Sequence, residues 1–226
     1  MRTLLICLPL ALAVACNCPP GDGKPAARKL FAKDSLEGWE KCNYAGNGEI
    51  EMLGGGVLSI GAGETLSGVK YKGEVPRVNY EVTLKGRKVE GDDFFFCLTF
   101  PYKETHASFV LGGWGGSVCG ISSIDFMDAM ENSTMAVREF EEGRWYDIRF
   151  VVTDHRFRGF IDDEPVVNIN IEGRRIDMRF GEIEESVPFA ISSFSTSGEY
   201  KDMLLRELSD EEIAAAQKLD EEDEYY

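Results

Sequence analysis

The sequence contains few of the residues from which most enzyme sites are built. Its 226 residues include only two histidines, and neither His106 nor His155 lies in a spacing typical of metal ligands. Six cysteines are present, but none forms a C-x-x-C pair, so no zinc site is predicted. No glycine-rich loop precedes a predicted helix, which argues against a phosphate-binding loop. No serine or cysteine stands in a recognisable nucleophile motif.

Basic residues are also scarce. The chain has 24 lysines and arginines against 40 aspartates and glutamates, which gives a net charge of −16. A chain this acidic repels phosphate backbones, so we expect no nucleic-acid partner. Part of the acidic excess lies in residues 220–224, and tails of this kind are usually solvated.

No apolar run reaches the roughly 20 residues that a membrane-spanning helix needs. The longest, residues 4–15, follows Arg2 and ends in Ala13-Val14-Ala15, a pattern typical of a signal peptide. We therefore expect an exported protein that loses residues 1–15. The next residue is Cys16, and Ala-Val-Ala-Cys resembles the lipobox of bacterial lipoproteins. That resemblance implies a lipid on Cys16 and a membrane-anchored lipoprotein, with plain secretion, for example to the periplasm, as the alternative.

Residues 16–28 are rich in proline and glycine. Such a stretch cannot build a core, so it is predicted to be a flexible tether between the membrane and the domain that follows. Export permits disulfides. Cys97 and Cys119 lie in neighbouring predicted strands and form the first pair to test, although two buried free thiols fit the sequence equally well. Pairings that involve Cys18 or Cys42 also remain open.

Hydrophobic residues recur with a period of two through most of residues 29–208, which predicts strands. A clear example is residues 94–100, where we expect Phe94, Phe96, Leu98 and Phe100 to share one face and the alternate residues to be covered as well. Residues 145–171 predict an antiparallel meander with a turn at residues 162–165. Ser209 and Glu212 form a capping box, so residues 209–226 are predicted to be a C-terminal helix and an acidic tail. The expected fold is all-β, a two-sheet antiparallel jelly-roll sandwich with a short C-terminal helix.

Several motifs, taken in order, resemble the 3-keto-disaccharide hydrolase domain family over roughly residues 29–208. They are Leu30-Phe31-Ala32-Lys33-Asp34-Ser35-Leu36-Glu37-Gly38-Trp39, Gly143-Arg144-Trp145-Tyr146-Asp147-Ile148-Arg149, Ile161-Asp162-Asp163-Glu164-Pro165-Val166-Val167 and Met203-Leu204-Leu205-Arg206-Glu207-Leu208. The resemblance implies a concanavalin A-like jelly roll with one sugar-binding face and, in some members, cleavage of glycosides oxidised at the third carbon. The sequence departs from the family in residues 112–132, where the usual acidic and glutamine-bearing strand survives only as Ile124-Asp125.

That divergent segment also carries the candidate site. Trp114, flanked by glycines, offers a flat face on which a sugar ring stacks. Asp125, Asp128 and Glu131 recur at intervals of three, so in a helical turn they would share one face. Crowded carboxylates raise each other's pKa and suit acid/base catalysis, or they gather a divalent cation such as calcium. Further predicted sugar contacts are Asn132 and Tyr44.

The same residues also have a structural interpretation, since the glycines fit a hairpin or bulge and the aspartates fit caps on loop amides. We therefore consider three functions. The first is a glycoside hydrolase resembling the 3-keto-disaccharide family, with carbohydrate as its ligand. The second is a non-catalytic carbohydrate-binding lipoprotein, and the third is a surface domain that binds another protein.

Overall fold

The structure is a computed structural model that describes residues 25–223, with side chains described as far as residue 218. The predicted signal peptide, Cys16, Cys18 and most of the predicted tether lie outside the described residues. Among the helices of residues 25–223, none is both long enough and apolar enough to cross a membrane.

Fifteen strands, numbered here in chain order, lie within residues 25–223. They are β1 Arg28–Lys29, β2 Trp39–Lys41, β3 Ile50–Leu53, β4 Val57–Ile60, β5 Leu66–Tyr71, β6 Tyr80–Gly91, β7 Phe96–Tyr102, β8 Thr105–Gly112, β9 Val118–Ser122, β10 Ala136–Val137, β11 Tyr146–Val152, β12 Arg156–Ile161, β13 Glu164–Asn170, β14 Ala190–Phe194 and β15 Thr196–Glu207. A short helical turn covers Gly113–Gly116, a 3-10 helix covers Glu182–Ser186, and an α-helix covers Asp210–Asp223.

The strands form two sheets, and the strand pairs within both are antiparallel. The eight-stranded sheet runs β13-β12-β11-β6-β15-β4-β3, with β1 paired to β15, and the seven-stranded sheet runs β10-β9-β8-β7-β14-β5-β2. The predicted all-β antiparallel sandwich with a C-terminal helix is confirmed. The predicted meander is the β11-β12-β13 edge of the eight-stranded sheet.

The core lies between the two sheets and is built largely from aromatic rings. Phe150 of β11 lies between Phe100 of β7 and Phe109 of β8, with ring centroids 4.6 and 4.8 Å apart. All three side chains are fully buried. Burial of a phenylalanine side chain contributes about 1.5–3 kcal/mol, so this contact holds one sheet against the other.

One face assignment from the sequence is wrong. Phe96, Leu98 and Phe100 lie in the core as expected, but Phe94 lies on the outer face, where its ring contacts Phe194 at 5.8 Å. The chain bends before β7 begins at Phe96, so the adjacent Phe95 also enters the core. The period of two starts only after that bend.

Of the two alternatives for Cys97 and Cys119, the buried free thiols are confirmed and the disulfide is not formed. Strand β8 separates them, since Val110 pairs with Cys97 and Leu111 pairs with Cys119. Cys119 faces the core, whereas Cys97 lies on the opposite face of the sheet, on the wall of a groove. Two strands that are not neighbours lie about 9.5 Å apart, which is too far for a disulfide.

The C-terminal helix begins as its sequence predicts. The Ser209 amide donates to Glu212 Oε2 at 3.0 Å and the Glu212 amide donates to Ser209 Oγ at 3.3 Å, which is the capping box. Arg206 at the end of β15 forms ion pairs with Glu212 and with Glu81 of β6. The helix therefore begins against the eight-stranded sheet, on the side of the sandwich opposite the groove described next.

Candidate functional site

The outer face of the seven-stranded sheet carries small side chains that are buried although they point away from the core. These are Cys97, Thr99, Ser108, Ser122 and Ser192. Residues 177–187, here called the crossing segment, run over part of this face, from Ser123 to Thr99. The crossing segment thus divides the face into a covered half and an open half.

Contacts at both ends hold the crossing segment in place. At its start, the Asp177 and Ser123 backbones exchange hydrogen bonds at 3.0 and 3.2 Å. Near its end, the hydroxyls of Ser186 and Thr99 lie 2.6 Å apart in the covered half. Glu182 accepts hydrogen bonds from the Ala45 amide at 2.5 Å and from Thr65 Oγ1 at 3.1 Å.

Beside the crossing segment, the open half of the face is a groove with a volume of about 360 Å³. This lies within the range of about 300–1,000 Å³ usual for ligand pockets. The groove is lined by aromatic and aliphatic side chains together with a few polar ones. They are Thr65, Leu66, Phe94, Cys97, Ser108, Val110, Trp114, Ser122, Arg179, Phe180, Glu182, Ile183 and Phe194.

Trp114 stands at the edge of the groove in an unusual backbone conformation. Its φ and ψ are 49° and 54°, the left-handed region, which costs a residue with a side chain about 1–2 kcal/mol. Positive φ values at Gly112, Gly115 and Gly116 continue the turn. Asp93 stabilises it, because its carboxylate accepts from the Gly115 amide at 3.3 Å and from the Phe94 amide at 2.7 Å.

Arg179 of the crossing segment lies on the other side of the groove from the sheet. Its guanidinium carbon is 6.0 Å from the centroid of the Trp114 ring, which is at the outer limit of a cation–π contact. Trp114 and Arg179 also border a smaller adjoining cavity of about 200 Å³. An aromatic face and a cation therefore bound the same opening.

Asp125 does not join this opening. Its carboxylate accepts from the Arg174 guanidinium at 2.5 Å and from the Arg175 amide at 2.8 Å. These hydrogen bonds, first that of the Arg175 amide and then that of Arg174, lower the pKa of Asp125. The predicted raised pKa is wrong at this position, because the neighbours of the carboxylate are donors and cations rather than other carboxylates.

Asp128 and Glu131 share one turn, but Asp125 lies outside it. The amides of Glu131 and Asn132 both donate to the Asp128 carbonyl, whereas Asp125 and Phe126 have φ values of 51° and 67°. The predicted common helical face for the three acids is therefore wrong. Asp128 accepts from Ser122 Oγ at 3.0 Å, which brings it to the groove, and Glu131 accepts from the Asp128 amide at 3.4 Å.

No group of three or more histidine, cysteine, aspartate or glutamate side chains within residues 25–223 is arranged to hold a metal ion. The predicted clustering of Asp125, Asp128 and Glu131 around a divalent cation such as calcium therefore finds no support in the geometry. The carboxylates instead engage separate partners.

Two predicted sugar contacts are structural residues. The Asn132 amide nitrogen donates to the carbonyls of Ile121 and Met127, and its oxygen accepts from Thr134. Tyr44 is only 6% exposed. Its hydroxyl bonds to Ser192 Oγ at 2.8 Å, and burial raises its pKa. Both side chains are occupied below the surface, so neither contacts a ligand in this conformation.

The groove also contains residues that the sequence did not indicate. Arg179 and Phe180 come from the crossing segment, and Phe94 and Phe194 come from the flanks of β7 and β14. No local motif marks them, because they meet only when strands distant in sequence become neighbours. The bend before β7, visible as the adjacent aromatics Phe94, Phe95 and Phe96, was the one available signal.

A larger cavity, about 560 Å³, lies where the N-terminal strand meets the end of β15. It is lined by Pro25, Ala26, Arg28, Glu74, Val75, Pro76, Leu205, Arg206 and Glu207. Its arginines already have partners, since Arg28 donates to the Glu74 carbonyl and Arg206 pairs with Glu81. It offers no aromatic face, so the groove is the better candidate for a ligand site.

No protein-family model matches the chain, and no curated protein is similar to it in sequence. Solved structures do share its fold. One is domain 4 of AbnA, a GH43 extracellular arabinanase from Geobacillus stearothermophilus in complex with arabinotriose, with a TM-score of 0.52, 13% identity and coverage of 82% of this chain and 93% of that chain.

Two other similar structures are an O-glycanase and a transglycosylase. One comes from the endo-acting O-glycanases that prominent members of the human gut microbiota express to initiate mucin breakdown (TM-score 0.53, 11% identity, 82% of this chain and 100% of that chain). The other is the Crh5 transglycosylase (TM-score 0.52, 10% identity, 84% and 88%). At such low identity these likenesses show the jelly-roll fold alone. They do not single out the 3-keto-disaccharide hydrolase family.

Proposed function

We propose that this protein binds carbohydrate in the groove on the outer face of its seven-stranded sheet. The observation that carries the proposal is Trp114, which a strained turn holds at the edge of an open groove. A backbone in a costly conformation persists only where its surroundings impose it, and such residues cluster at binding sites. The ring offers the apolar surface on which the C–H face of a sugar packs.

The rest of the groove complements a sugar in the same way. Ser108 and Ser122 line the sheet wall, but both are only 3% exposed, so the hydrogen bonds to sugar hydroxyls come from the exposed Arg179 side chain. Phe94 and Phe194 supply a second apolar surface. Among the similar structures, an arabinanase domain in complex with arabinotriose and an O-glycanase support this use of the fold.

The test is binding to an array of immobilised neutral and acidic oligosaccharides, followed by calorimetry on the strongest hit. Trp114→Ala should weaken binding by at least about tenfold, because the stacking surface is lost. The matched control is Trp145→Ala. Trp145 is half-buried on the eight-stranded sheet, near Arg87 and Lys201. Equal losses in the two variants would contradict a site at Trp114.

A second candidate is hydrolysis of a glycoside, as the family resemblance implies. Asp128 favours it, because this carboxylate contacts Ser122 on the groove wall and lies 3.4 Å from Arg179. The assay is release of sugar from 3-keto-glucosides by the wild type, Asp128→Asn and Asp125→Asn. Turnover that only Asp128→Asn abolishes supports hydrolysis, whereas glycan binding without turnover supports a binding domain.

We further propose that the protein is exported and held at a membrane by a lipid on Cys16. The support is the sequence pattern of residues 1–16, and the first described strand begins at Arg28, the last residue of the predicted tether. Mass spectrometry of the mature N-terminus tests this. An acylated Cys16 terminus is expected, and an unmodified one would indicate plain secretion.

A further inference from the structure

Arg174, Arg175 and Arg179 lie close together in sequence, near the start of the crossing segment. The first two have close carboxylate partners. Arg174 Nε lies 2.5 Å from Asp125 Oδ2, and Arg175 Nη2 lies 2.7 Å from Asp177 Oδ2. At these distances each carboxylate accepts a strong, charge-assisted hydrogen bond from its arginine. Neither guanidinium lines the groove.

Arg179 differs from both. Its ion-pair partner is Asp128, with Nε and Oδ2 3.4 Å apart, and the other oxygen of that carboxylate already accepts from Ser122 Oγ. Within residues 25–223, no residue accepts a geometrically sound hydrogen bond from the Arg179 side chain, which is 56% exposed. A guanidinium has five N–H donors in a rigid fork that matches a carboxylate or a sulfate.

The position of this exposed fork, whose ion pair with Asp128 is long, indicates what it can bind. Its guanidinium carbon lies 6.0 Å over the Trp114 ring and lines the groove, so a charged substituent of a sugar bound against Trp114 can reach it. On the basis of the sugar-binding function proposed above, we propose that the groove selects acidic sugars. Arg179 binds the carboxylate or sulfate group while Trp114 holds the ring.

The overall charge of the protein limits the size of such a ligand. A net charge of −16 opposes the approach of a long polyanion. The helix Asp210–Asp223, with seven acidic residues and one lysine, begins against the other sheet. The proposal therefore concerns short acidic oligosaccharides, for which the local contact with Arg179 outweighs the general repulsion.

The experiment measures the affinity of the full mature chain for three probes. They are a trigalacturonate, a sulfated galactose trisaccharide and the uncharged galactose trisaccharide. The first two separate a carboxylate from a sulfate as the group recognised. We expect at least one acidic probe to bind about tenfold more tightly than the neutral one, which is the usual size of a lost or gained charge-assisted hydrogen bond.

Variants then assign the preference to one side chain. Arg179→Gln should lower the affinity for the acidic probe about tenfold and the affinity for the neutral probe by much less, and an unchanged circular dichroism spectrum shows that the variant is folded. Arg175→Gln is the matched control, since the Arg175 side chain is also 56% exposed but already pairs with Asp177. It should leave all three affinities unchanged.

A substitution of Asp128 should change the affinity for the acidic probe in the opposite direction. Asp128→Asn removes a negative charge next to the proposed acidic group, and its amide oxygen can still accept from Ser122. The affinity for the acidic probe should therefore rise severalfold relative to the wild type.

The outcomes separate the two proposals. Equal affinity for acidic and neutral probes, or the same loss for both in Arg179→Gln, would overturn the acidic preference and leave sugar binding intact. Failure of the wild type to bind any oligosaccharide on the array would overturn sugar binding and the acidic preference together.

Discussion

The covered and open halves of the outer face of the seven-stranded sheet both carry small hydroxyl side chains, but these side chains have different roles in the two halves. In the covered half, the Thr99 hydroxyl bonds to that of Ser186, and the Ser192 hydroxyl bonds to that of Tyr44. In the open half, Ser108 and Ser122 line a groove, and the Ser108 hydroxyl bonds to two sulfur atoms, those of Met178 at 3.9 Å and of Cys97. The difference shows that a polar strand face becomes core or binding surface according to what crosses it.

The largest effect that would test this comparison is expected at Ser186. Ser186→Ala leaves the fully buried Thr99 hydroxyl without its partner, so the free energy of unfolding should fall by about 1–3 kcal/mol. The control is Ser108→Ala in the open half, which removes hydrogen bonds only to sulfur, a weak partner, and should therefore cost less, about 0.5 kcal/mol. Urea unfolding of both variants measures the difference. Equal costs would show that the two halves are not distinct.

A smaller effect is expected at Glu182, which holds the crossing segment to the loops around Ala45 and Thr65. Glu182→Gln replaces a charged acceptor with a neutral one at a half-exposed site, so the cost should be about 1 kcal/mol. Hydrogen exchange should accelerate in residues 177–187, because local opening becomes easier.

The C-terminal helix provides the internal reference for that exchange measurement. Its capping box and its Arg206 ion pair lie against the other sheet. Acceleration in both regions would mean that Glu182 acts on global stability and not on the crossing segment.

The buried thiols should show no reaction at all in the folded protein. Burial raises the pKa of Cys97 to about 12 and the pKa of Cys42 and Cys119 to about 11. At pH 8 each is therefore a protonated thiol, which is a poor nucleophile. Alkylation followed by peptide mapping should label these three cysteines only in urea. Rapid labelling of Cys97 in the native protein would indicate that the groove opens to the sheet floor.

The smallest effect concerns pH and Asp125. Its pKa is lowered in the folded state, so the ionised carboxylate stabilises the fold above the unfolded pKa of about 3.9, and that stability is lost as the pH falls. Asp125→Asn should therefore be less stable than the wild type at pH 7, and the gap should narrow below about pH 4. A constant gap between pH 7 and pH 3 would mean that ionisation plays no part.

The fold was predictable from the sequence because its signals are local. Alternation in β11 and β12, the turn at Asp162-Asp163 and the Ser209 capping box each act within a few residues. The faces of Phe94, Cys97 and Cys119 were harder to predict. A bend before β7 shifts the alternation of buried residues at Phe94. The spacing of Cys97 and Cys119 in the sequence does not reveal that strand β8 lies between them.

The site was predictable only in part. Trp114 could be found because glycines flank a lone tryptophan, and its turn depends on those neighbours. The acids spaced at intervals of three suggested a shared face, but Asp125 adopts a left-handed conformation and pairs with Arg174. Arg179 could not be found, since 65 positions separate it from Trp114 and only the path of the crossing segment brings them together.

The most direct test of a sugar site at Trp114 uses the indole N–H signals of the three tryptophans in an NMR titration. The oligosaccharide that binds best on the array is added to ¹⁵N-labelled protein. We predict that the Trp114 signal shifts in a saturable way, while Trp39, which is buried and donates to the Leu30 carbonyl, and Trp145 on the other sheet stay unchanged. A saturable shift at Trp145 without one at Trp114 would contradict the account.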